Sequence, residues 1–297
     1  MIAEGFLRRV NLVFFLQIFG VVAILVVGKG AYGQDERTQY FPRTQNYPNP
    51  IPPRENVWIF ILAGQSNMAG RGVVQPMDTV PDNRILTINA QNEIVFAKEP
   101  LHFYEPQLAG LDCGMSFARR LIKDVDDNVT ILLIPAAVGG SSSHQWLGDS
   151  LHRGVRLMTN FQERVSSAAK FGVIKGILWH QGESDTNDQS IPGYGDRLKS
   201  IFTAFRRHCH NPKLPILIGK LGAFSENQDR WNAINQAIEK YTSKDKYAFI
   251  VETADLKSKE DKIHFAAEGQ RTMGVRMAES FLDKGKVKKL KQAGRSE

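Results

Sequence analysis

Five short runs of apolar and β-branched residues are spaced along this chain of 297 residues. They are nearly continuous and do not alternate between polar and apolar positions, which is typical of strands buried on both faces. Sheets made of such strands are parallel and are covered by helices. The five predicted strands are Val57 to Ala63, Val129 to Ile134, Val173 to Trp179, Pro215 to Gly219 and Tyr247 to Val251.

Longer amphipathic segments, with apolar residues at helical spacing, lie between these runs and after the last of them. Alternation of buried strands and amphipathic helices predicts an α/β fold, a three-layer α/β/α sandwich with a central parallel sheet. In open sheets of this kind the working groups gather at the carboxyl ends of the strands. The predicted helices are Met115 to Lys123, Val155 to Lys170, Tyr194 to His208, Asp229 to Tyr241 and Ala267 to Leu282.

The first residues are typical of an export signal. Arg8 and Arg9 precede an apolar run from Val10 to Val27, and small residues follow it. We predict a signal peptide over residues 1–33, cleaved before Gln34, which makes the protein secreted or periplasmic. An uncleaved segment would instead anchor the domain in a membrane, since the apolar run is just long enough to span a bilayer.

Composition gives the remaining boundaries. Residues 34–56 are rich in proline and predict an extended segment. Residues 57–283 are predicted to form one domain and residues 284–297 a basic tail. The formal charge of the chain is +7. This excess of positive charge lies outside the domain, in the N-terminal segment and the C-terminal tail, so no nucleic-acid partner is expected. No membrane contact is expected unless the N-terminal segment stays uncleaved.

Cys113 and Cys209 are the only cysteines, and neither lies in a Cys-x-x-Cys motif or a Cys/His cluster. No metal site and no cofactor are expected. An exported protein can form disulfides, but only geometry decides whether these two cysteines pair. The sequence leaves both that pairing and the oligomeric state open.

The segment Gly64-Gln65-Ser66-Asn67-Met68 directly follows the first predicted strand. It places Ser66 on a turn that leads into a helix, where the hydroxyl can be reached. Backbone N–H groups at such a helix start can hold a developing negative charge beside the attacking oxygen. The alternative is an ordinary helix cap, for which serine is a favoured residue.

Two further blocks follow predicted strands. Gly139 and Gly140 let the backbone approach a ligand closely and can supply an N–H group to an oxyanion, with a flexible glycine turn as the simpler alternative. The polar block His180-Gln181-Gly182-Glu183-Ser184-Asp185 follows the strand that ends at Trp179. So many polar groups need partners, either in a structural hydrogen-bond network or in a binding site.

The fourth block, Asp261-Lys262-Ile263-His264, lies between the last predicted strand and the last predicted helix. Residues three apart in a turn can lie side by side, so Asp261 can hold one imidazole nitrogen of His264 while the other faces Ser66. A surface ion pair is the common alternative. A nucleophile, oxyanion donors and an acid-held base, all at predicted strand ends, together indicate a serine hydrolase.

These four blocks, with Trp146, resemble the SGNH or GDSL-like hydrolases, specifically the sialate O-acetylesterase and acetyl xylan esterase branch. The resemblance extends from Val57 to Leu282 in the family's order and spacing. It implies a flavodoxin-like α/β/α fold, no metal or other cofactor, and a carboxylic ester hydrolase. The implied activity removes O-acetyl groups from a carbohydrate such as acetylated xylan or acetylated sialic acid.

The resemblance also assigns catalytic roles. It implies that Ser66 is the nucleophile, His264 its base and Asp261 the residue that orients the base. Glu183 is the alternative partner of His264, because some members of this branch are thought to use that glutamate in place of the aspartate, or beside it.

For the oxyanion, the resemblance implies three donors: the N–H groups of Ser66 and Gly140 and the side chain of Gln181, with Gly139 as a substitute for Gly140. Neighbouring residues are expected to line the substrate site, and Trp146 is equally compatible with a buried position in the core. These expected lining residues are Gln65, Asn67, Gly139, Trp146 and His180, with Arg71 and His144 nearby.

Two other functions fit the same scaffold. One is a sugar acetyl transferase, which would pass the acetyl group to another sugar instead of water through the same covalent intermediate. The other is a carbohydrate-binding protein without turnover, against which the intact Ser66, Asp261 and His264 count. The sequence does not separate water from sugar as the acceptor.

Overall fold

Nine strands are present in the computed structural model, which describes residues 36–284. In chain order they are β1 (Val57–Gly64), β2 (Ile85–Ile88), β3 (Ile94–Phe96), β4 (Thr130–Pro135), β5 (Leu151–His152), β6 (Val155–Arg156), β7 (Val173–His180), β8 (Ile216–Gly219) and β9 (Ala248–Val251). Seven form one sheet in the order β3-β2-β4-β1-β7-β8-β9, and β5 pairs with β6 alone. In the large sheet only β2 and β3 pair antiparallel.

Helices cover both faces of the large sheet. In chain order they are α1 (Ser66–Ala69), α2 (Gly114–Leu121), α3 (Ser143–Gly148), α4 (Leu157–Ala168), α5 (Tyr194–His208), α6 (Gln228–Thr242) and α7 (Ala267–Lys284). Helices α3, α4, α5 and α6 pack on one face through an apolar core that includes Trp146, Phe161 and Trp231. A second core, which includes Phe117 and Phe281, joins α2 and α7 to the other. The predicted three-layer α/β/α sandwich is confirmed.

The register of β1 with its two neighbours brings the sequence blocks together. Leu62 on β1 pairs with Pro135 on β4, and Gly64 pairs with His180 on β7. Because parallel strands end at the same edge of the sheet, the segments that follow β1, β4 and β7 meet there. These segments are the Ser66 turn, the glycine pair and the polar block.

The five predicted strands are confirmed, each within one residue of its observed bounds. The sequence does not predict β2 and β3, because at four and three residues they are too short for a periodic signal. The six-residue α3 is missed for the same reason. The helix predicted from Val155 begins at Leu157 instead, because Val155–Arg156 pairs with β5 in a hairpin.

Residues 36–56 contain two short 3-10 helices, Glu36–Thr38 and Arg54–Asn56, and otherwise no regular secondary structure. This segment lies along the outer edge of the sheet, where the N–H of Phe96 on β3 donates to the carbonyl oxygen of Asn46 at 2.8 Å. It therefore covers an edge strand that would otherwise expose unpaired backbone groups.

The predicted signal peptide, residues 1–33, and nearly all of the predicted basic tail lie outside the described residues, so these assignments and the domain boundaries stay predictions. Within residues 36–284, no helix combines the length and the apolar character needed to cross a bilayer. Cys113 and Cys209 are both free thiols in this structure.

Helix α7, which follows His264 in the chain, packs closely against α2. A Cβ at Gly274 on α7 would overlap the carbonyl oxygen of Cys113 and lie 2.8 Å from the backbone nitrogen of Phe117. We expect Gly274→Ala to lower the free energy of unfolding by about 1–3 kcal/mol, because this overlap outweighs alanine's better helix propensity of about 1 kcal/mol.

Urea denaturation measures this change in stability. Ser280→Ala on the same helix is the control, and we expect it to stay within about 0.5 kcal/mol of the unsubstituted protein. A Gly274→Ala variant as stable as that control would show that α2 and α7 can separate without cost.

Candidate active site

Ser66 is the first residue of α1, at the carboxyl end of the central strand β1. Gly64 makes the turn between them possible. Its φ of +139° is one that residues with a side chain rarely adopt, and a Cβ there would overlap the carbonyl oxygen of His180. Ser66 is 6% exposed, so its hydroxyl is recessed at the edge of the sheet.

His264 lies in the loop between β9 and α7 and contacts Ser66 directly. Nε2 of His264 is 2.9 Å from Oγ of Ser66, although the two residues are 198 positions apart in the chain. Nδ1 of the same imidazole is 2.9 Å from Oδ2 of Asp261. The structure thus brings the predicted nucleophile, base and orienting acid into one continuous hydrogen-bonded row.

The carboxylate of Asp261 is fixed from the backbone as well. Its Oδ1 accepts hydrogen bonds from the N–H groups of Ile263 at 3.0 Å and His264 at 2.9 Å. Partial burial acts to raise the pKa of Asp261, but the hydrogen bonds from the His264 side chain and from these two N–H groups outweigh it and lower that pKa. Asp261 is therefore held as a carboxylate beside the imidazole.

Glu183, the alternative acid, has other partners. Its Oε1 accepts a hydrogen bond from Nδ2 of Asn67 at 2.5 Å and lies 3.5 Å from Nδ1 of His180. Among the hydrogen bonds of the described residues, none joins Glu183 to His264. The geometry therefore places Asp261, and not Glu183, against the imidazole.

Asn67 links this buried glutamate to the histidine loop. Besides contacting Glu183, its Nδ2 donates to the carbonyl oxygen of Ile263 at 3.1 Å, and its Oδ1 accepts from the N–H of Phe265 at 3.0 Å. These two bonds bracket His264 in the chain. Because Asn67 is also the neighbour of Ser66, it ties the loop of the base to the helix of the nucleophile.

The backbone N–H groups of Ser66 and Gly140 have no acceptor within the part of the chain that the structure describes. The loop that contains Gly140 is anchored beside the serine turn, since the N–H of Val138 and the hydroxyl of Ser141 each bond to the carbonyl oxygen of Gly64 at 3.2 Å. A pair of unengaged N–H groups beside a nucleophile can hold an oxyanion.

Gly139 does not fit the role of a substitute oxyanion donor. Its N–H already donates to Oε2 of Glu105 at 2.5 Å. That bond to a buried carboxylate is charge-assisted and strong. The expectation that Gly139 could replace Gly140 is therefore wrong for this conformation.

Gln181 was predicted to donate to the oxyanion through its side chain, and the structure gives that amide other partners. It is fully buried, and its Nε2 lies 2.6 Å from Oδ2 of Asp185 and 3.2 Å from both Oε1 of Gln65 and the carbonyl oxygen of Ser141. An amide has two hydrogens for these three acceptors. Donation to a substrate would require one of these bonds to break.

Trp146 and His180, predicted as substrate-lining residues, are fully buried. The indole of Trp146 packs against Trp179 and donates from Nε1 to Oγ of Ser141 at 3.0 Å. Burial lowers the pKa of His180, which keeps its imidazole neutral. Neither lines the site, because both belong to the layer beneath it, and for Trp146 this is the alternative position in the core that the sequence left open.

Gln65, Asn67 and Arg71, also expected near the substrate, are buried, whereas His144 on α3 is exposed. Gln65 is 2% exposed, and its Oε1 faces the N–H groups of Gly182 at 3.4 Å and Ser184 at 3.2 Å. Asn67 is fully buried, and Arg71 is 7% exposed. The hydrogen bonds of these side chains hold the loops of the site together.

The structure adds a cluster that sequence reasoning missed. Glu105 accepts hydrogen bonds from Arg71 at 2.9 Å, from Arg153 and from the N–H of Gly139. Burial acts to raise the pKa of Glu105, but Arg71 and the hydrogen bonds lower it overall. His152, beside this cluster, contacts Gly139. Neither Glu105 nor His152 lies in a motif or a periodic segment, so no local signal marks them.

Among the described residues, no group of three or more His, Cys, Asp and Glu side chains is arranged to hold a metal ion. The chemistry that this arrangement can perform is nucleophilic. A hydroxyl beside an acid-held imidazole and two free N–H groups are the parts needed for acyl transfer through a covalent intermediate.

Comparisons with known proteins give a family and a fold. The family model described as "Carbohydrate esterase, sialic acid-specific acetylesterase" matches residues 56–283. A probable carbohydrate esterase from Arabidopsis thaliana is 30% identical over 253 residues, which cover 79% of this chain and 92% of that protein.

Solved structures share the fold. An Arabidopsis thaliana protein matches with a TM-score of 0.68 and 29% identity, over 78% of this chain and 99% of that chain. NanS matches with a TM-score of 0.61 and 17% identity, over 80% and 99%. A carbohydrate acetylesterase from Xanthomonas citri matches with 0.59 and 18%, over 76% and 56%. The predicted SGNH hydrolase fold is confirmed.

Proposed function

Since this chain belongs to the carbohydrate esterase family of sialic acid-specific acetylesterases and is a carboxylic ester hydrolase, we propose that it removes O-acetyl groups from a carbohydrate with Ser66 as nucleophile. The observation that carries the proposal is the 2.9 Å contact between Oγ of Ser66 and Nε2 of His264. A serine hydroxyl is a weak nucleophile until a neighbouring base removes its proton. His264, held by Asp261, is placed to do so.

In the first half of the reaction, Oγ of Ser66 attacks the acetyl carbonyl carbon while Nε2 of His264 takes the hydroxyl proton. The carbonyl oxygen becomes an anion, which the N–H groups of Ser66 and Gly140 stabilise. The bond between the carbonyl carbon and the sugar oxygen then breaks. That oxygen leaves with the proton from His264, and an acetyl group remains on Ser66.

In the second half, water replaces the sugar. His264 takes a proton from a water molecule while the water oxygen attacks the acetyl carbon. The second tetrahedral anion is stabilised by the same two N–H groups. This anion breaks the bond to Oγ of Ser66, which regains its proton from His264, and acetate is released. Asp261 stabilises the imidazolium in both halves.

The proposed substrate is a carbohydrate ester, and assays of acetate release from different acetylated sugars identify its sugar. We propose acetylated sialic acid, acetylated xylan and other acetylated sugars as the candidates, with an aryl acetate as a generic reference. Free acetate is measured for each, together with acetylated product when a second sugar is added as acceptor. Release of acetate supports the esterase. Transfer to the added sugar in place of acetate would indicate a transferase, and neither product would indicate a binding protein.

The acid limb of the pH profile should report one ionisation. The lowered pKa of Asp261 keeps that carboxylate charged wherever a histidine side chain ordinarily titrates, about pH 5–8. Only the neutral form of His264 can accept the serine proton, so log kcat/KM is expected to rise with pH with a slope of one and then level off. A slope of two, which would mean that a second group must also lose a proton, would contradict the assignment of a single base.

We also propose that the domain works outside the cytoplasm, as the export signal predicted over residues 1–33 indicates. N-terminal sequencing of the protein recovered from the producing cell tests this. A mature chain that begins at Gln34 supports cleavage and release, and a chain that retains the segment and sediments with membranes supports the anchored form.

A further inference from the structure

The proposed oxyanion donor Gly140 lies in a turn that is closed by one long hydrogen bond, from the N–H of Ser141 to the carbonyl oxygen of Val138 at 3.4 Å. That bond engages neither group of the peptide between Gly139 and Gly140. Gly139 and Gly140 are adjacent, and Gly140 has a φ of +73°. Glycine adopts positive and negative φ about equally easily, so the peptide between two glycines can rotate at little cost. Whether the N–H of Gly140 faces the substrate therefore depends on contacts from outside the turn.

The peptide that carries this N–H also carries the carbonyl group of Gly139. In a trans peptide the C=O and N–H groups point in opposite directions. Any group that holds the carbonyl oxygen of Gly139 therefore also sets the direction of the Gly140 N–H. In this structure Nε2 of His152, on β5, lies 2.9 Å from that oxygen.

The partners of the imidazole define its tautomer. Nδ1 of His152 lies 3.1 Å from Nε2 of Gln145, which can only donate. The orientation of that amide is set in turn, because Oε1 of Gln145 accepts from the N–H of Ser142 at 2.9 Å. Nδ1 is therefore the acceptor, and Nε2 carries the proton that is donated to Gly139.

We propose that His152 is a positioning residue for the oxyanion site: its Nε2–H holds the Gly139 carbonyl so that the N–H of Gly140 faces the ester at Ser66. This inference rests on the proposed function. Glu105 restrains the preceding peptide through the N–H of Gly139 at 2.5 Å, so both peptides that flank the first glycine are fixed. A hydrogen bond to the carbonyl also polarises the peptide and strengthens its N–H as a donor.

The test compares two polar replacements of His152. The Gln side chain places an amide nitrogen close to the position of imidazole Nε2, whereas that of Asn is one carbon shorter and does not reach Gly139. We expect His152→Asn to lower kcat/KM by about 10- to 100-fold through kcat, with KM nearly unchanged, because complete loss of an oxyanion donor typically costs about 100- to 1,000-fold. We expect His152→Gln to recover most of that loss.

A tetrahedral inhibitor separates positioning from general stability. Methylboronic acid adds to a nucleophilic serine as a tetrahedral anion that resembles the transition state, whereas the deacetylated sugar does not. We expect His152→Asn to weaken boronate inhibition by the same factor as kcat/KM and to leave sugar binding unchanged. His208→Asn, at the distant end of α5, is the matched control and is expected to behave like the unsubstituted protein.

Three results would overturn the inference: full activity in His152→Asn, a loss that appears entirely in KM, or a His152→Gln variant no better than the Asn variant. Circular dichroism and thermal unfolding establish whether each variant is folded. If the Asn variant is unfolded, the activity of the Gln variant relative to the unsubstituted protein decides the question. Failure of the proposed function is distinguished by Ser66→Ala. If that variant stays active the esterase mechanism is wrong, whereas an inactive Ser66→Ala beside a fully active His152→Asn overturns only the role of His152.

Discussion

Ser66→Ala is expected to lower kcat on an acetyl ester by about 10⁴- to 10⁶-fold, because no second hydroxyl replaces the attacking atom. The oxyanion N–H groups of Ser66 and Gly140 belong to the backbone and survive the substitution, so a small residual rate over water remains. Acetate release under saturating substrate measures kcat. Thermal unfolding should show an unchanged transition, because the Ser66 side chain has no structural partner other than His264 among its hydrogen bonds in the described residues.

A second serine serves as the control for this variant. Ser200 lies on the exposed side of α5, and its hydroxyl bonds only to the backbone of its own helix. Ser200→Ala is expected to keep full activity. If Ser66→Ala retained more than about a tenth of the normal rate, the nucleophile would have to be another group and the proposed mechanism would fail.

Asp261→Asn is expected to lower kcat by about 10⁴-fold while the fold persists. An asparagine amide facing Nδ1 of His264 would donate where the carboxylate accepts, which moves the imidazole proton to Nε2 and leaves no base beside Ser66. It would also remove the charge that stabilises the imidazolium. Both effects act on kcat, and KM should change little.

The matched substitution is Glu183→Gln, which tests the alternative acid. Glu183 contacts Asn67 and lies near His180, so its removal disturbs the loop around His264 and does not change the tautomer. We expect a loss of about tenfold or less. The reverse ranking, with Glu183→Gln inactive and Asp261→Asn nearly normal at equal stability, would move the orienting role to Glu183.

The parts of the fold that the sequence predicts are those with a strong local signal. The central strands β1, β4 and β7 are long apolar runs, and α5 has the bounds Tyr194–His208 that its apolar spacing predicts. Strands β2 and β3 are short, and β3 owes its place to pairing with β2 at the edge of the sheet. The pairing leaves no repeating pattern of apolar residues within β3 itself, so only the tertiary structure reveals this strand.

The site divides in the same way. Ser66, Asp261 and His264 could be predicted because each lies in a compact motif at a strand end, where parallel topology brings such motifs together. Glu105 and His152 could not, since their roles come from contacts with Gly139 across 34 and 13 positions. The sequence leaves Trp146 either at the substrate site or in the core, and the structure encloses its indole in the aromatic core on one face of the sheet.

Covalent labelling measures the central claim, an activated hydroxyl at position 66, most directly. A small alkyl fluorophosphonate reacts with serine nucleophiles that a base has activated, and the labelled peptide is identified by mass spectrometry alongside residual acetate release. We predict one label per chain, on the peptide that contains Ser66, with activity lost in proportion to labelling. Activity that persists after that peptide is fully labelled, or is lost with the label only on another peptide, would contradict the account.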